Sequence, residues 1–171
     1  MDFLKLAEER YSVRSFQDKK LPDDVIDKII KAGHLAPTGC NYQPQRILVI
    51  NSDESIEKLR KCTKCHFFAP TAMLVCYNRD ESWTRPNDGE KSAPVDAVIV
   101  TTHMMLEAKS LGLDTLWARG FNAQEIANAF ALPENLKLVC LLDLGYADPE
   151  NGKPSPRLSL RNPLEIFAKK I

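Results

Sequence analysis

Apolar positions along this chain follow two rhythms, a helical one and short unbroken β-branched runs, and the two kinds of segment alternate. Phe3, Leu4 and Leu6 predict a short helix over Asp2 to Arg10, which delivers a basic turn, Arg10-Tyr11-Ser12-Val13-Arg14-Ser15. Pro22 stands where a first helical position is expected, and Val25, Ile26, Ile29, Ile30 and Gly33 then repeat at helical spacing until Pro37. A polar loop, Pro37 to Pro44, follows. Arg46 to Ile50 reads as a strand, Asp53 as the cap of a helix through Lys61, and Thr71 to Tyr77 as a second, buried strand.

Glu81 to Lys91 holds Pro86 and Gly89, lacks periodicity and reads as a surface loop able to move. Val95, Val98, Ile99, Thr102, Met105 and Leu106 trace one stripe of a long helix that closes near Gly112, and this helix is expected to be central to the core. Asp114 to Ala118 is then a strand, Ala123 to Phe130 a helix, and Leu136 to Leu144 an apolar strand. The segment from Asp148 to Pro163 is rich in proline and polar residues, so it is expected to run extended before a short terminal helix. Without repeats or a linker, this alternation predicts a single domain over residues 1–171 with a layered α/β or α+β architecture.

Composition narrows the function classes. Lys and Arg number 23, as do Asp and Glu, so no overall field recruits nucleic acid or an anionic membrane. The most apolar stretch, Val95 to Leu113, is interrupted by His103, Glu107 and Lys109, which are costly at a bilayer centre. The N-terminus lacks the apolar run and small-residue cleavage site of a signal peptide, so a cytoplasmic location is expected. An odd set of cysteines, 5 in all, suggests reduced thiols rather than a disulfide framework.

Candidate chemistry lies in three segments. Arg10, Ser12 and Arg14 can fix a phosphate or a flavin pyrimidine edge, although their spacing alone favours a solvated basic turn. Asn41 and Gln43 offer amides beside Gly39, in what is otherwise an ordinary helix-ending turn. The run from Gly112 to Phe121 is a strand ending at Gly120 with Trp117 beside it, and Gly120 allows a flat ring to approach the backbone. Neither GxGxxG nor GxxxxGK[ST] occurs, which argues against a Rossmann fold or a P-loop.

Four motifs carry a resemblance to a known family: Arg10-Tyr11-Ser12-Val13-Arg14-Ser15-Phe16, Ala36-Pro37-Thr38-Gly39-Cys40-Asn41-Tyr42-Gln43-Pro44, Gly112 to Phe121, and Arg161-Asn162-Pro163-Leu164-Glu165. In this order the chain resembles the nitroreductase family of flavoproteins. The resemblance implies an α+β fold, a central mostly antiparallel sheet flanked by helices, dimeric through long helices. It implies FMN as cofactor, NADH or NADPH as electron donor, and nitroaromatic, quinone or similar small molecules as acceptors in a ping-pong, two-electron reaction.

By the same resemblance Arg10, Tyr11, Ser12 and Arg14 contact the flavin and its phosphate, and Arg161 adds phosphate charge. Pro37, Thr38, Gly39, Asn41 and Gln43 reach the flavin from the partner of a homodimer, placing it at the subunit interface. Trp117, Ala118, Arg119 and Gly120 lie against the ring, with a backbone N–H near Arg119 pointing at flavin N5. Many relatives carry Glu or Gly where this chain has Arg119. The chain is also short for the family, and residues 81–91 occupy the region where longer members insert helices over the substrate.

Two other readings have different signatures. One is a flavin-binding protein without turnover. The other is a thiol-redox or metal protein built on Cys62-Thr63-Lys64-Cys65-His66, a C-x-x-C-H run that otherwise reads as structural or surface cysteines, with too few partners for zinc. His103 reads as packed or hydrogen-bonded, and Met73, Met104 and Met105 as core filling.

Overall fold

A computed structural model describes residues 2–171. Its elements run α1 (Phe3–Glu9), α2 (Asp23–His34), β1 (Gln45–Ile50), α3 (Asp53–Cys62), β2 (Thr71–Asn78), α4 (Ala93–Ser110), β3 (Asp114–Ala118), α5 (Ala123–Ala129), β4 (Leu136–Gly145) and α6 (Leu164–Phe167). Helices α1, α3 and α5 start where short polar side chains satisfy the first amides. Asp2 accepts from Leu4 N, Ser52 from Ser55 N, and Asn122 from Gln124 N and Glu125 N. Ser52 is therefore the cap of α3, and Asp53 is its first residue, where its charge still favours the positive end of the helix dipole.

The strands form one sheet in the order β1-β2-β4-β3, with every neighbouring pair antiparallel. Thr71 to Cys76 of β2 are buried on both faces because helices cover both sides, which explains why this strand reads as a continuous apolar run rather than an alternation. On one face Ile29 of α2 and Val100 and Met104 of α4 pack with Met73, Leu142 and Leu144. On the other, Ile56 and Leu59 of α3 and Ile126 of α5 pack with Leu74, Leu116 and Leu141. The result is a helix–sheet–helix α+β sandwich, as expected for the family fold.

The long helix departs from expectation in which side faces inward. Ala93, Ala97, Val100, Met104 and Ala108 are the apolar residues it buries, whereas Val95 is 56% and Val98 40% exposed. Thr102 is exposed as well, and Ile99, Met105 and Leu106 are half-buried. The stripe from Val95 to Leu106 is thus the outward face. A helix apolar on every side has no moment to orient it, and the small residues on the other side allow the closest approach to its neighbours. Gly33 of α2 shows how close: a Cβ there would lie 2.7 Å from Met104 Cγ.

The loop at 81–91 is tied together rather than free. Thr84 bridges Lys91, and Arg85 pairs with both Asp88 and Glu90. The segment after β4 runs without regular structure to a 3-10 turn at Pro156–Ser159 and the short α6. Leu160, Leu164, Ile166 and Phe167 of this segment are each at least 70% exposed. Among the described residues no helix is long and apolar enough to cross a membrane.

Candidate functional site

The basic turn is anchored along the free edge of β3. Ser12 bridges Thr115 in parallel, and Val13 N donates to Thr115 O at 3.0 Å while the Val13 side chain is fully buried. Alternation along this edge sends Val13 into the core and leaves Ser12 and Arg14 to face outward. Phe16 then bridges Ala147, Asp148 N donates to Ser15 O, and the Tyr11 hydroxyl donates to Gly152 O at 3.0 Å. These bonds fasten the start of the C-terminal segment beside the basic turn. Lys109 adds to the clamp, lying 3.1 Å from Asp114 Oδ1 and 5.7 Å from the centre of the Tyr11 ring.

A cleft of about 440 Å³ opens between the two strands of chain, lined by Arg10, Tyr11, Ser12 and Arg14 on one side and by Lys153, Ser155, Arg157 and Leu158 on the other. Among the described residues, none of Arg10, Arg14, Lys153, Arg157 and Arg161 forms a salt bridge. Burial lowers the affinity of the Arg10 guanidinium for its proton, and the nearby charge of Arg161 lowers it further. Two cations brought together without a carboxylate form a site awaiting an anion, and Arg forks suit a phosphate.

Arg10 and Ser12 also line a second cleft of about 340 Å³, with Val98, Thr101, Thr102 and Met105 of α4 and Trp117 of β3. The two clefts share Arg10 and Ser12 and so lie side by side along this edge, a groove apolar beside α4 and cationic beside the C-terminal segment. A flat aromatic system carrying a phosphate arm has this distribution of chemistry. The mouth of the apolar part is continuous with the outward stripe of α4, since Val98, Thr102 and Met105 belong to both.

The loop Pro37 to Pro44 lies elsewhere. Thr38 and Gln43 line a separate cavity of about 380 Å³ with Ile30, His34, Arg46 and Val100. At 100° per residue, Val100 projects from α4 roughly opposite to Val98, Thr102 and Met105, so the helix stands between this cavity and the groove. The loop is built tightly: Asp96, 3% exposed, accepts from Gly39 N at 3.0 Å and from Ser92 Oγ at 2.8 Å. A Cβ on Gly39 would lie 2.7 Å from Ser92 Oγ. Cys40, Asn41 and Gln43 take positive φ, and Gln43 N donates to Thr38 Oγ1. Within one chain, then, the loop residues do not meet Arg10, Ser12 and Trp117.

At the end of β3 the side chains diverge. Trp117, 37% exposed, faces the groove, Ala118 is buried in the opposite layer, and Arg119 is exposed. The space beside Gly120 is taken by Cys65, whose Sγ lies 2.5 Å from where a Cβ would be, and Thr63 Oγ1 donates to Gly120 O at 2.9 Å. Burial and the charge of Glu125 raise the Cys62 thiol, the opposite of what a reactive thiolate needs. Among the described residues no group of His, Cys, Asp and Glu is arranged to hold a metal ion.

Lys153 and Arg157 are not singled out by the sequence, and Val98, Thr102 and Met105 read there as core rather than as part of a site. A signal existed for the first two: from Asn151 to Leu164 the chain carries Lys153, Arg157 and Arg161 and no carboxylate. His103 is exposed, with Nδ1 3.0 Å from Ile99 O, and Met73 and Met104 are fully buried core residues.

A four-stranded antiparallel sheet between helical layers, with a cationic cleft along one edge strand, defines an α+β sandwich whose edge chemistry suits an anion. The sequence model described as "Nitroreductase family" matches residues 7–75 and 62–146. A nitroreductase family protein from Clostridium difficile 630 superimposes with a TM-score of 0.92 at 41% identity, covering 99% of this chain and 98% of that one. The chain belongs to the nitroreductase family. A protein from Methanothermobacter thermautotrophicus, provisionally named NADH dehydrogenase/NAD(P)H nitroreductase, is 27% identical over 164 residues, which is 89% of this chain and 81% of that protein. A structure from Exiguobacterium sibiricum, described as a nitroreductase in complex with FMN, shares the fold at a TM-score of 0.86 and 22% identity, over 100% of this chain and 98% of its own.

Proposed function

We propose that the protein is an FMN-dependent NAD(P)H oxidoreductase that works as a homodimer and reduces nitroaromatic, quinone or similar small acceptors. The observation that carries this reading is the pair of neighbouring clefts that share Arg10 and Ser12, one apolar and the other lined by cations without a carboxylate. When bound, FMN would supply the two-electron chemistry of a ping-pong reaction between NAD(P)H and the acceptor.

The protein's part is to bind and orient. Arg10 and Arg161 hold the phosphate by charge-assisted hydrogen bonds, while Ser12 and Arg14 supply further donors along the same edge. Val98, Thr102, Met105 and Trp117 wall the apolar cleft, where they would hold an aromatic ring and exclude water from it. Family resemblance assigns the backbone N–H near Arg119 as the donor to the ring, where it stabilises negative charge on the reduced flavin.

The outward apolar stripe of α4 supports the dimer. It borders the groove, and a second copy packed along it would both cover Val95 and Val98 and close the slot. The partner's loop, Pro37 to Gln43, would then complete the site that a single chain leaves open. The exposed Leu160, Leu164 and Phe167 offer further apolar surface to the same partner.

An absorbance spectrum of the purified protein, before and after anaerobic NADH and NADPH, tests the proposal. Flavin bands that bleach, then recover on adding a nitroaromatic or quinone, are the expected result. A flavin that binds and never bleaches makes the protein a flavin carrier, and a colourless protein that ignores added FMN overturns the reading.

A further inference from the structure

The groove carries more positive charge than one flavin phosphate accounts for. Arg10 and Arg161, near enough that the Arg161 charge adds to the lowering of the Arg10 guanidinium, match a dianion. Lys153 and Arg157 remain, neither of them with a carboxylate within salt-bridge distance among the described residues. The cleft is also larger than a phosphate requires. At about 440 Å³ it falls in the range of sites for whole small molecules, while a group of five heavy atoms fills little of it.

Resting on the FMN reading above, we infer that the outer end of this cleft, formed by Lys153, Ser155 and Arg157 opposite Arg14, is a second phosphate site that takes the 2′-phosphate of the nicotinamide donor. The donor is then NADPH rather than NADH. Lys supplies a compact point charge, Arg a planar fork and Ser a hydroxyl donor, and this set suits the terminal oxygens of a monophosphate ester. Lys153 and Arg157 are exposed, so the pocket is open to a molecule that enters and leaves during each turnover. Their backbone is nonetheless held: Tyr11 Oη donates to Gly152 O at 3.0 Å, Gly152 N donates to Asp148 O at 2.8 Å, and Ser155 Oγ accepts from Arg157 N at 3.3 Å. A Cβ on Gly152 would lie 2.6 Å from Asp148 backbone atoms, so the turn that presents Lys153 is close-packed.

The test is calorimetric titration of the FMN-loaded protein with adenosine 2′,5′-bisphosphate and with adenosine 5′-monophosphate, neither of which carries out redox chemistry. The bisphosphate is expected to bind at least 10-fold more tightly, since one charge-assisted contact contributes roughly that factor or more. Lys153→Ala and Arg157→Ala, alone and together, are expected to erase this preference while the ratio of flavin to protein absorbance stays unchanged. Equal affinities for the two nucleotides, or a preference that survives the double variant, overturn the inference. Release of FMN by the double variant also overturns it, because these side chains would then serve the flavin phosphate. A protein that never takes up FMN fails the earlier reading instead, and its absorbance shows this before any nucleotide is added.

Discussion

His66 Nδ1 and Asp143 Oδ1 lie 2.8 Å apart with both side chains buried, and neither His66 Nε2 nor Asp143 Oδ2 finds a partner among the described residues. Asp143 sits on β4 between Ala72 of β2 and Leu116 of β3. Burial pushes its carboxyl up to about 6, against the opposing pull of the His66 hydrogen bond and charge. The folded chain therefore holds this proton more tightly than the unfolded chain, whose carboxyl titrates near 4. That contribution to stability is complete below about pH 4 and is lost as pH rises through about 6.

Asp143→Asn keeps the shape of the pair and cannot titrate. The unfolding free energy of the native chain minus that of this variant is expected to fall between about pH 4.5 and pH 7.5, by on the order of 2 kcal/mol. Urea denaturation at both values measures it. A difference that stays flat or rises with pH would show that Asp143 is not held protonated by burial.

In the proposed site, Arg10→Ala and Arg161→Ala would each remove one or more charge-assisted hydrogen bonds to the flavin phosphate, at roughly 1.5–3 kcal/mol apiece. FMN dissociation constants are expected to rise about 10- to 100-fold, as read by fluorescence titration. Unchanged affinity in both variants would remove these residues from the site.

Val98→Glu places a charge on the outward stripe of α4, where Val98 is 40% exposed in the isolated chain. The monomer should fold with little change in stability, while sedimentation should shift from dimer toward monomer and FMN should be lost with it. A dimer that persists with full flavin content would place the interface elsewhere.

Asp96→Ala leaves Gly39 N and Ser92 Oγ without their shared acceptor inside the structure. The expected destabilisation is about 1–3 kcal/mol, or roughly 2–4 °C in Tm for each kcal/mol in a chain of this size. Differential scanning calorimetry gives the value. Flavin retention should fall as well, since Asp96 fixes the loop that carries Thr38, Asn41 and Gln43.

Thiol reactivity gives an independent check on the core. Burial pushes Cys76 up to about 12, with Cys140 adding to the rise, and burial raises Cys140 too. Iodoacetamide at pH 8 is expected to label the exposed Cys40 first and to leave Cys76 and Cys140 unmodified until the chain unfolds. Early labelling of Cys76 in the native protein would contradict the packing of β2 against β4.

Local pattern alone determined the number and kind of elements here, because caps, helical spacing and β-branched runs act over a few residues. Ile26, Ile29 and Gly33 mark the buried side of α2, and Thr71 to Cys76 mark a strand covered on both faces. The motif residues were legible for the same reason: Arg10, Ser12, Trp117 and Arg161 stand at recognisable positions in their own segments. Tertiary structure decided what depends on distant partners. The long helix is apolar all round, so only the sheet and α2 select Ala97 and Met104 for the core and turn Val95 and Val98 outward. Lys153 and Arg157 enter the site because Tyr11 and Ser15 hydrogen-bond a segment more than 130 residues away in the chain. His66 and Asp143, 77 positions apart, meet only when the Cys65–Phe68 turn folds under β4. Each of these pairings closes a long loop whose energy no short window of sequence contains.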